Sequence, residues 1–351
     1  MYNTKLLKIN RDEEKTADLS EAVALLRAGE LVAFPTETVY GLGGNAEDET
    51  ASSRIYAAKG RASDNPLIVH IADKKDLLKV GREVSEKALK LAEKFWPGPL
   101  TIIVKKASII PPATTGGLDT VAVRMPSDVI ASRLISESGL FIAAPSANAS
   151  GRPSTTRAEH CMEDLAGKIP LVIDGGPVKI GLESTIVDTT GDELCILRPG
   201  HIRIEELREI DPKVYFDPAV IADKPQENIV AKAPGMKYRH YAPKGEFTVF
   251  EGEKEAVIAR INAEAEACRK AGKSCAVFAS DETKERYRAD LIISPGRREV
   301  PDEVAAGLFD ALRKFDEAGA ECIFGEAFTG NAYRAVSNRL MKACGYNIKK
   351  V

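Results

Sequence analysis

Two cationic side chains, Lys59 and Arg61, stand one residue apart at the end of a predicted helix. A lysine ammonium is a compact point charge and an arginine guanidinium is a bidentate fork, and the two together suit a polyphosphate. Cations are also common at helix C-termini because they complement the helix dipole. The pair therefore indicates a phosphate site without establishing one.

A third cation, Arg124, ends the apolar stretch 121–123, which predicts a strand. A guanidinium at the end of a buried strand is costly unless an anion pairs with it. We therefore expect an anionic partner for Arg124, which either the protein or a ligand could supply.

Loops of small and polar residues follow several predicted strands. Their glycines permit close approach of a ligand to the backbone, and their hydroxyl and amide groups can form hydrogen bonds. The four loops are PTETVYGLGG at 35–44, AAPSANASG at 143–151, GLEST at 181–185 and RPG at 198–200. With the separate cations, they predict one pocket for phosphates and a carboxylate.

Other motifs in the chain carry no function. Gly272-Lys273-Ser274 ends like a P-loop, but a predicted helix precedes it and a strand follows it, which is the reverse of the required order. Asn148-Ala149-Ser150 matches a glycosylation acceptor, which matters only in a secreted protein. The four histidines have no metal-ligand spacing, so no dedicated metal site is expected.

Composition describes an ordinary globular protein. The chain has 351 residues, a length that favours about two domains. Of these residues 44% are hydrophobic and 29% are charged, and the net charge is -3. Neither half carries the basic excess of a dedicated nucleic-acid binder. The six cysteines form no C-x-x-C pair, the N-terminus has no apolar signal region, and no run approaches a membrane span. These features predict a cytoplasmic protein with reduced thiols and no membrane partner.

The first part of the chain mixes short strands and helices. Apolar periodicity predicts strands at 31–34, 67–71, 100–104, 121–123, 141–144, 171–173, 185–187 and 194–197, and helices at 18–28, 49–59, 85–95 and 127–138. Short connections between strands favour a mixed α/β sheet over a purely parallel one. We predict one domain at 1–210.

A linker and a smaller domain follow. Five prolines break any long element between 211 and 246, which we interpret as an interdomain linker. Strands at 247–250, 275–279, 289–293 and 322–324 then alternate with helices at 253–270, 302–318 and 332–343. This alternation predicts a smaller, mainly parallel α/β domain at 247–351.

These segments resemble the YrdC family of L-threonylcarbamoyladenylate synthases, in its long form with a C-terminal extension. The resemblance covers most of 30–200, the linker and part of the tail. It rests on PTETVYGLG, KGR, NPLIVHI, WPGPLT, VAVRMP, APSANASG, GLESTIVD, LRPG, PGMKYRHYAP and GNAYRAVSNRL. Residues Ala62-Ser63 depart from it, since many relatives have a proline after the arginine.

The resemblance implies a twisted open sheet in the first domain and a Rossmann-like C-terminal domain. It also implies the activity of a nucleotidyltransferase. Its substrates would be L-threonine, bicarbonate or CO2, and ATP, with Mg²⁺ arriving on the ATP. The products would be threonylcarbamoyl-AMP and pyrophosphate. A separate tRNA threonylcarbamoyl transferase complex would then modify the adenosine next to the anticodon of ANN-decoding tRNAs, so that tRNA is only an indirect partner.

The resemblance also implies roles for individual residues. Lys59 and Arg61 would be catalytic, because they would stabilise the charge that develops at the α-phosphate and on pyrophosphate. Threonine would be bound by Thr38, His70, Arg124, Ala144 and Ser184, with Arg124 on its carboxylate. ATP would be bound by Lys59, Arg61, Asn65, Thr120, Ser146, Asn148, Ser154, Arg198 and Tyr241.

The linker segment PGMKYRHYAP, residues 234–243, is richer in aromatic and cationic side chains than a passive tether. It could simply pack between two domains. Alternatively, it could fold over the pocket of the first domain as a lid that excludes water from a labile anhydride, with Tyr241 near the nucleotide.

The sequence is also compatible with three other functions. An RNA-binding or ribosome-assembly factor is one alternative, and the acidic balance of 1–212 weighs against it. A second is a sensor that binds ATP or an amino acid without turnover. A third is a carbamoyl-adenylate synthase of the hydrogenase-maturation type, although the cysteine-paired zinc motifs of those proteins are absent.

Overall fold

The structure, a computed structural model, describes residues 1–222, 224, 231–236 and 240–351. The chain forms two compact units. The first comprises Met1–Ser150, Thr155–Lys179 and Glu183–Lys237, and the second comprises Gly151–Ser154, Ile180–Leu182 and Tyr238–Val351. Among the residues described, no helix is both long and apolar enough to cross a membrane.

The first unit contains one twelve-stranded sheet. Its strands are β1 Lys5–Lys8, β2 Val32–Phe34, β3 Gly41–Asn45, β4 Ile68–His70, β5 Gly81–Arg82, β6 Leu100–Lys106, β7 Thr120–Arg124, β8 Ile142–Ala143, β9 Leu171–Asp174, β10 Thr185–Asp188, β11 Cys195–Arg198 and β12 Tyr215–Phe216. Its helices are α1 Ser20–Arg27, α2 Glu49–Lys59, α3 Leu77–Val80, α4 Glu86–Phe95, α5 Val129–Ser138, α6 Ala158–Leu165, α7 Ile204–Leu207 and α8 Pro218–Ile221.

The strand order is β1-β9-β2-β3-β8-β4-β7-β6-β10-β11-β12, with β5 beside β6. Strands β4 and β7 are parallel, as are β6 and β10, whereas β6 and β7 are antiparallel. The sheet is therefore mixed, which confirms the predicted fold class.

The central strands present two different faces because successive side chains alternate between the two sides of a sheet. One face carries Val69, Ile102 and Val123, which belong to the main buried core. That core also contains side chains of α2 and α4, such as Ile55 and Leu91. The other face carries Ile68, Ile103, Ala122 and Ile186 and mixes apolar with polar residues, as described below. This second face holds the candidate site, and we call it the polar face.

Strand β3 was not predicted, because its glycines indicated a turn. Glycine is weak in strands, yet here no larger residue fits. A Cβ on Gly43 would lie 2.7 Å from the Phe34 ring and 2.8 Å from Ile142 Cγ2, in the two neighbouring strands. The glycines of this motif therefore serve close packing inside the sheet.

The second unit is a five-stranded parallel sheet in the order β15-β14-β16-β13-β17. Its strands are β13 Glu246–Glu251, β14 Cys275–Phe278, β15 Leu291–Ile293, β16 Cys322–Glu326 and β17 Ile348–Lys350, and its helices are α9 Lys254–Lys270, α10 Pro301–Glu317 and α11 Arg334–Ala343. The parallel pairing confirms the predicted Rossmann-like class, and β17 is a strand that the sequence reading missed.

Candidate functional site

The polar face gathers four side chains from four adjacent strands or their ends. His70 of β4 pairs in register with Arg124 of β7, and Arg124 pairs with Thr101 of β6. Ser184 immediately precedes β10, and its hydroxyl lies 2.7 Å from that of Thr101. All four are at least nine-tenths buried. Register and side-chain alternation therefore bring together His70, Arg124 and Ser184, three of the residues that we predicted to bind threonine.

The guanidinium of Arg124 is held by three protein groups. Nη2 lies 2.8 Å from Glu37 Oε1, Nη1 donates to Thr38 Oγ1 at 2.8 Å, and Nε donates to Gly98 O at 3.3 Å. An arginine has five N–H groups, and contacts with the described residues engage three of them, which leaves two for a ligand. The anionic partner expected from the sequence is thus a protein residue, Glu37, in this structure.

Glu37 remains ionised although it is buried. Burial alone would raise the pKa of this carboxyl, but the Arg124 guanidinium outweighs burial and holds the pKa below its usual value. Buried ion pairs cost desolvation energy and need good geometry to persist. The pair therefore fixes the orientation of the Arg124 fork in a water-poor site.

His70 is neutral at physiological pH. Burial and the nearby charge of Arg124 lower its pKa to about 3. Its Nδ1 lies 3.1 Å from Ile68 O. The ring also interacts with the backbone of Ile142, so backbone contacts hold the imidazole in place. Because it is neutral, it adds no charge beside Arg124.

Ser184 connects Arg198 with the polar face. Arg198 donates from Nε to Ser184 O at 3.0 Å and from Nη2 to Ser184 Oγ at 3.1 Å. Thr101 Oγ1 continues this chain toward Arg124. The structure thus brings Arg198 near the group that we predicted to bind threonine, although we had predicted it to bind ATP.

The backbone of Ala144 is partly occupied. Its N–H donates to Ile68 O at 2.9 Å, in the strand that carries His70. A ligand beside Ala144 would therefore meet the carbonyl rather than the N–H.

Lys59 lies at the end of α2 and is 3% exposed. Its Nζ donates to the carbonyl oxygens of Ser146 and Asn148. The hydroxyl of Ser146 in turn donates to Asn148 Oδ1. The structure therefore brings together Lys59, Ser146 and Asn148, three of the predicted ATP ligands, in a group that we call the cationic corner.

Arg61, Asn65 and Thr120 form a neighbouring group. Arg61 donates to Asn65 O at 3.2 Å and to Pro66 O at 3.0 Å. The parallel register of β4 and β7 places Thr120 beside this loop, at the opposite end of β7 from Arg124. Four residues of strand separate Thr120 from Arg124 by about 13 Å. A ligand that touches both ends must therefore be elongated.

Two predicted ATP ligands, Ser154 and Tyr241, belong to the second compact unit. Ser154 is buried there. The Tyr241 ring stacks on Phe309 at 5.1 Å, and Arg339 lies 5.9 Å from the Tyr241 ring centroid.

Part of the linker packs on the polar face. Ala233 is fully buried against an apolar cluster of that face, and Met236 contacts the same cluster. The cluster consists of Ile68, Ile103, Ala122, Ile186, Cys195 and Leu197. The segment 231–236 therefore covers the face that carries Arg124. Lys237, Tyr238 and Arg239, at the centre of the predicted lid, lie outside the described residues.

Sequence reasoning missed the roles of Glu37 and Thr101. Both lie inside quoted motifs, PTETVYGLG and WPGPLT, but their contacts with Arg124 and Ser184 span the sheet. A buried arginine that requires an anion was the available signal for Glu37. Among the described residues, no group of three or more histidine, cysteine, aspartate or glutamate side chains is placed to hold a metal.

Two family models match the chain. The Sua5/YciO/YrdC model, described as telomere recombination, matches residues 24–200. The Sua5 C-terminal model, described as the C-terminal domain of threonylcarbamoyl-AMP synthase, matches residues 202–345.

Full-length relatives carry the same name. The threonylcarbamoyl-AMP synthase of Pyrococcus abyssi is 47% identical over 94% of this chain and 95% of its own. That of Bacillus subtilis is 46% identical over 95% of each chain.

A solved structure agrees over both units. The crystal structure of Pyrococcus abyssi Sua5 complexed with L-threonine is 45% identical and covers 99% of this chain and 100% of its own, with a TM-score of 0.91. The family, fold class and function predicted from the sequence are thereby confirmed. The chain belongs to the Sua5/YciO/YrdC family of threonylcarbamoyl-AMP synthases.

Proposed function

We propose that this enzyme joins L-threonine, bicarbonate and ATP into threonylcarbamoyl-AMP, with release of pyrophosphate. The observation that carries the proposal is the layout of the polar face. A fixed guanidinium, Arg124, stands at one end of β7, while the group formed by Arg61, Asn65 and Thr120 stands at the other. Such spacing suits an amino acid at one end and a nucleotide phosphate chain at the other.

Threonine would bind at the Arg124 end. The two remaining N–H groups of Arg124 would take its carboxylate in a bidentate pair. Thr38, neutral His70, Ser184 and the carbonyl of Ala144 would surround its amine and hydroxyl. These partners are neutral, so they leave the threonine amine free to lose a proton. The amine nitrogen then bonds to the carbon of bicarbonate, a C–O bond of bicarbonate breaks, and water leaves as the carbamate forms.

The phosphates would bind at the cationic corner. A carbamate oxygen attacks the α-phosphate, and the bond to the β-phosphate breaks as pyrophosphate leaves. Lys59 and Arg61 would stabilise the negative charge that grows during this step, with Ser146, Asn148, Asn65 and Thr120 orienting the nucleotide. Arg198 would contact either the nucleotide or threonine from its position beside Ser184. No side-chain nucleophile is required.

Mg²⁺ would reach the site on ATP. The phosphate-side residues are cations, hydroxyls and amides, which suit a magnesium ion already held by phosphate and water oxygens. Magnesium would neutralise phosphate charge when bound.

We assign a role to each of the three segments of the chain. We propose a catalytic domain at 1–210, a linker at 211–246 that acts as a lid, and a C-terminal domain at 247–351, with Ser154 and Tyr241 as further ATP ligands. The packing of Ala233 on the polar face supports the lid. The six free cysteines suit a cytoplasmic protein, where a separate transferase would consume the product.

Mass spectrometry of the nucleotide product tests this function. We expect threonylcarbamoyl-AMP and pyrophosphate only when ATP, bicarbonate and threonine are all present. Release of ADP and orthophosphate instead would exclude attack at the α-phosphate. Binding of ATP or threonine without pyrophosphate release would indicate a sensor.

A further inference from the structure

The second unit contains a cavity of about 390 Å³ at the carboxyl ends of its parallel strands. Residues that follow β13, β14 and β16 line it, among them Gly252, Ser280 and Ala327. Its volume lies within the range of small-molecule pockets, about 300–1,000 Å³. None of these residues takes part in the reaction proposed above.

The topology explains why a cavity forms there. Strands β13 and β16 are neighbours, but the chain leaves β13 through α9 toward β14 on one side and leaves β16 through α11 toward β17 on the other. Loops that diverge from adjacent parallel strands open a crevice, and open α/β sheets bind their ligands at such switch points. The cavity therefore occupies the position where this fold binds ligands.

Arg298 presents a fixed guanidinium to the cavity. It donates to Ala327 O at 3.0 Å and to Glu326 Oε2 at 2.7 Å, and its guanidinium lies 4.2 Å from the Phe328 ring centroid. These two bonds engage two of its five N–H groups among the described residues. The side chain is 39% exposed, so the remaining donors are accessible. An immobilised fork of this kind suits a carboxylate.

Glu326 holds this arrangement together. Its carboxylate is 5% exposed and accepts hydrogen bonds from Thr283 Oγ1, from Tyr287 OH at 2.7 Å and from Ser280 N at 3.2 Å. The Glu326 charge is therefore fully compensated and supports Arg298 without contacting a ligand itself.

The rest of the lining is acidic. Glu251, Glu282 and Glu299 line the cavity, against one further cation, Lys254. Burial would raise the pKa of Glu282, but the backbone N–H of Arg298 and other donors outweigh it, so Glu282 stays ionised. This excess of carboxylates attracts an ammonium group and repels a polyphosphate.

The N-terminus of α9 does not offer its backbone N–H groups to a phosphate either. The Glu253 carboxylate already accepts the N–H groups of Glu255 and Ala256 at the helix N-terminus. A nucleoside has no anionic group that could pair with the Arg298 guanidinium. A simple amine has none either, so it would leave that guanidinium without a ligand. A molecule with both a carboxylate and an ammonium satisfies both parts of the lining.

We propose that this cavity, which we call the switch-point pocket, is a second ligand site that binds a free α-amino acid. Arg298 takes the carboxylate, and Glu251 and Glu299 take the ammonium group. The hydroxyls of Ser280, Thr283 and Thr329 and the apolar side of Val257 receive the side chain. This site is separate from the threonine site of the first unit and does not depend on turnover.

Isothermal titration of the full-length protein with each of the twenty L-amino acids tests the proposal. Saturating L-threonine is present in all titrations except that of threonine itself, so that the first unit is already occupied. We expect at least one L-amino acid to bind with a stoichiometry of one, and its D-enantiomer to bind at least tenfold more weakly. For threonine alone, a stoichiometry of two is the equivalent result.

Three variants locate the binding. Thr329→Trp fills the mouth of the pocket from an exposed position and is expected to weaken binding at least tenfold, or to reduce a threonine stoichiometry of two to one. Arg298→Lys keeps the charge but removes the fork and is expected to weaken binding about tenfold. Arg269→Glu, at the far end of α9, is the matched control and leaves binding unchanged.

Three results overturn the proposal: no second amino-acid site at 10 mM ligand, binding that Thr329→Trp leaves intact, or pocket-dependent binding of adenosine but of no amino acid. If Arg298→Lys does not give the circular-dichroism spectrum of the parent, Thr329→Trp decides alone.

Discussion

Each unit of this protein holds an arginine against a buried glutamate, but the two pairs differ in exposure. In the first unit Arg124 and Glu37 are 2.8 Å apart, and both side chains are at most 7% exposed. In the second unit Arg298 and Glu326 are 2.7 Å apart, and Arg298 is 39% exposed while Glu326 is 5% exposed. The Arg124 guanidinium is therefore enclosed by protein. The Arg298 guanidinium is held by Glu326 on one side and is exposed to solvent on the other.

The difference reflects how each sheet makes a site. Arg124 reaches its partners because side chains alternate along a mixed sheet, and the linker residue Ala233 packs on the same face. Arg298 lies on the loop between β15 and α10, at the open end of a parallel sheet. An enclosed cation suits chemistry that water would spoil, whereas an open one suits reversible binding.

The largest effect is expected at the cationic corner of the first unit. Lys59→Ala or Arg61→Ala should lower kcat by on the order of 10²-fold or more, because each removes charge stabilisation of the transition state. Threonine binding, measured by calorimetry, should change little. Lys90→Ala, an exposed lysine on α4, is the control. Equal losses in threonine affinity and kcat would contradict this separation of roles.

The next effect tests the enclosed pair itself. Arg124→Ala should raise the KM for threonine by about ten- to a hundredfold, as expected for a lost charged hydrogen bond. Glu37→Gln should act in the opposite direction, lowering that KM a few-fold, because the negative charge of Glu37 no longer repels the substrate carboxylate.

Both variants should also lower the melting temperature, since each leaves a buried charge without its partner. A rise in KM for Glu37→Gln as large as that for Arg124→Ala would instead make Glu37 a positioning residue.

A smaller effect is expected where the linker covers the polar face. Ala233→Asp places a charge against Ile68, Ile103 and Ala122, where burial is unfavourable, and should displace segment 231–236. We expect several-fold less threonylcarbamoyl-AMP relative to pyrophosphate, because water reaches the anhydride. Nucleotide should also protect the peptide bonds after Lys237 and Arg239 from trypsin in the parent protein. Unchanged product yield and no protection would leave the segment a tether.

The smallest effect concerns pH. The pKa of His70 is about 3 in the folded protein, against about 6.5 when unfolded. Between these values the unfolded chain binds the additional proton, so stability falls as pH decreases from 6.5 toward 3. The slope is at most about 1.4 kcal/mol per pH unit for one proton. His70→Asn should flatten this dependence in urea titrations at pH 4.5 and 6.5, and an unchanged slope would assign it to other groups.

Most elements could be predicted from sequence. The predicted strands and helices agree with the observed ones to within two residues at each end. Local periodicity carries that information, because helices and half-buried strands have different repeats. The turn predicted at 41–44 was wrong, since glycines permit both a turn and the tight packing that β3 shows.

The candidate site was predictable only in part. Residue types and motifs identified Lys59, Arg61 and Arg124, because cations at element ends require anions. They could not show that Glu37 pairs with Arg124 or that Arg198 contacts Ser184. Those relations depend on strand order, which no local pattern encodes.

The glycine at position 44 has a consequence for how this enzyme can vary. A Cβ there would lie 3.0 Å from Leu31 Cδ2 and 3.3 to 3.4 Å from Ile55 and Ala51 of α2. The bare backbone of β3 thus sets how closely α2 rests on the sheet, and α2 ends at Lys59. An inherited change to alanine would crowd Leu31 and Ile55 by a few tenths of an ångström, and any shift of α2 that relieves the crowding would move the ammonium group of Lys59 with it. Genetic variation at Gly44 would then resemble an active-site lesion, although the altered residue touches no substrate.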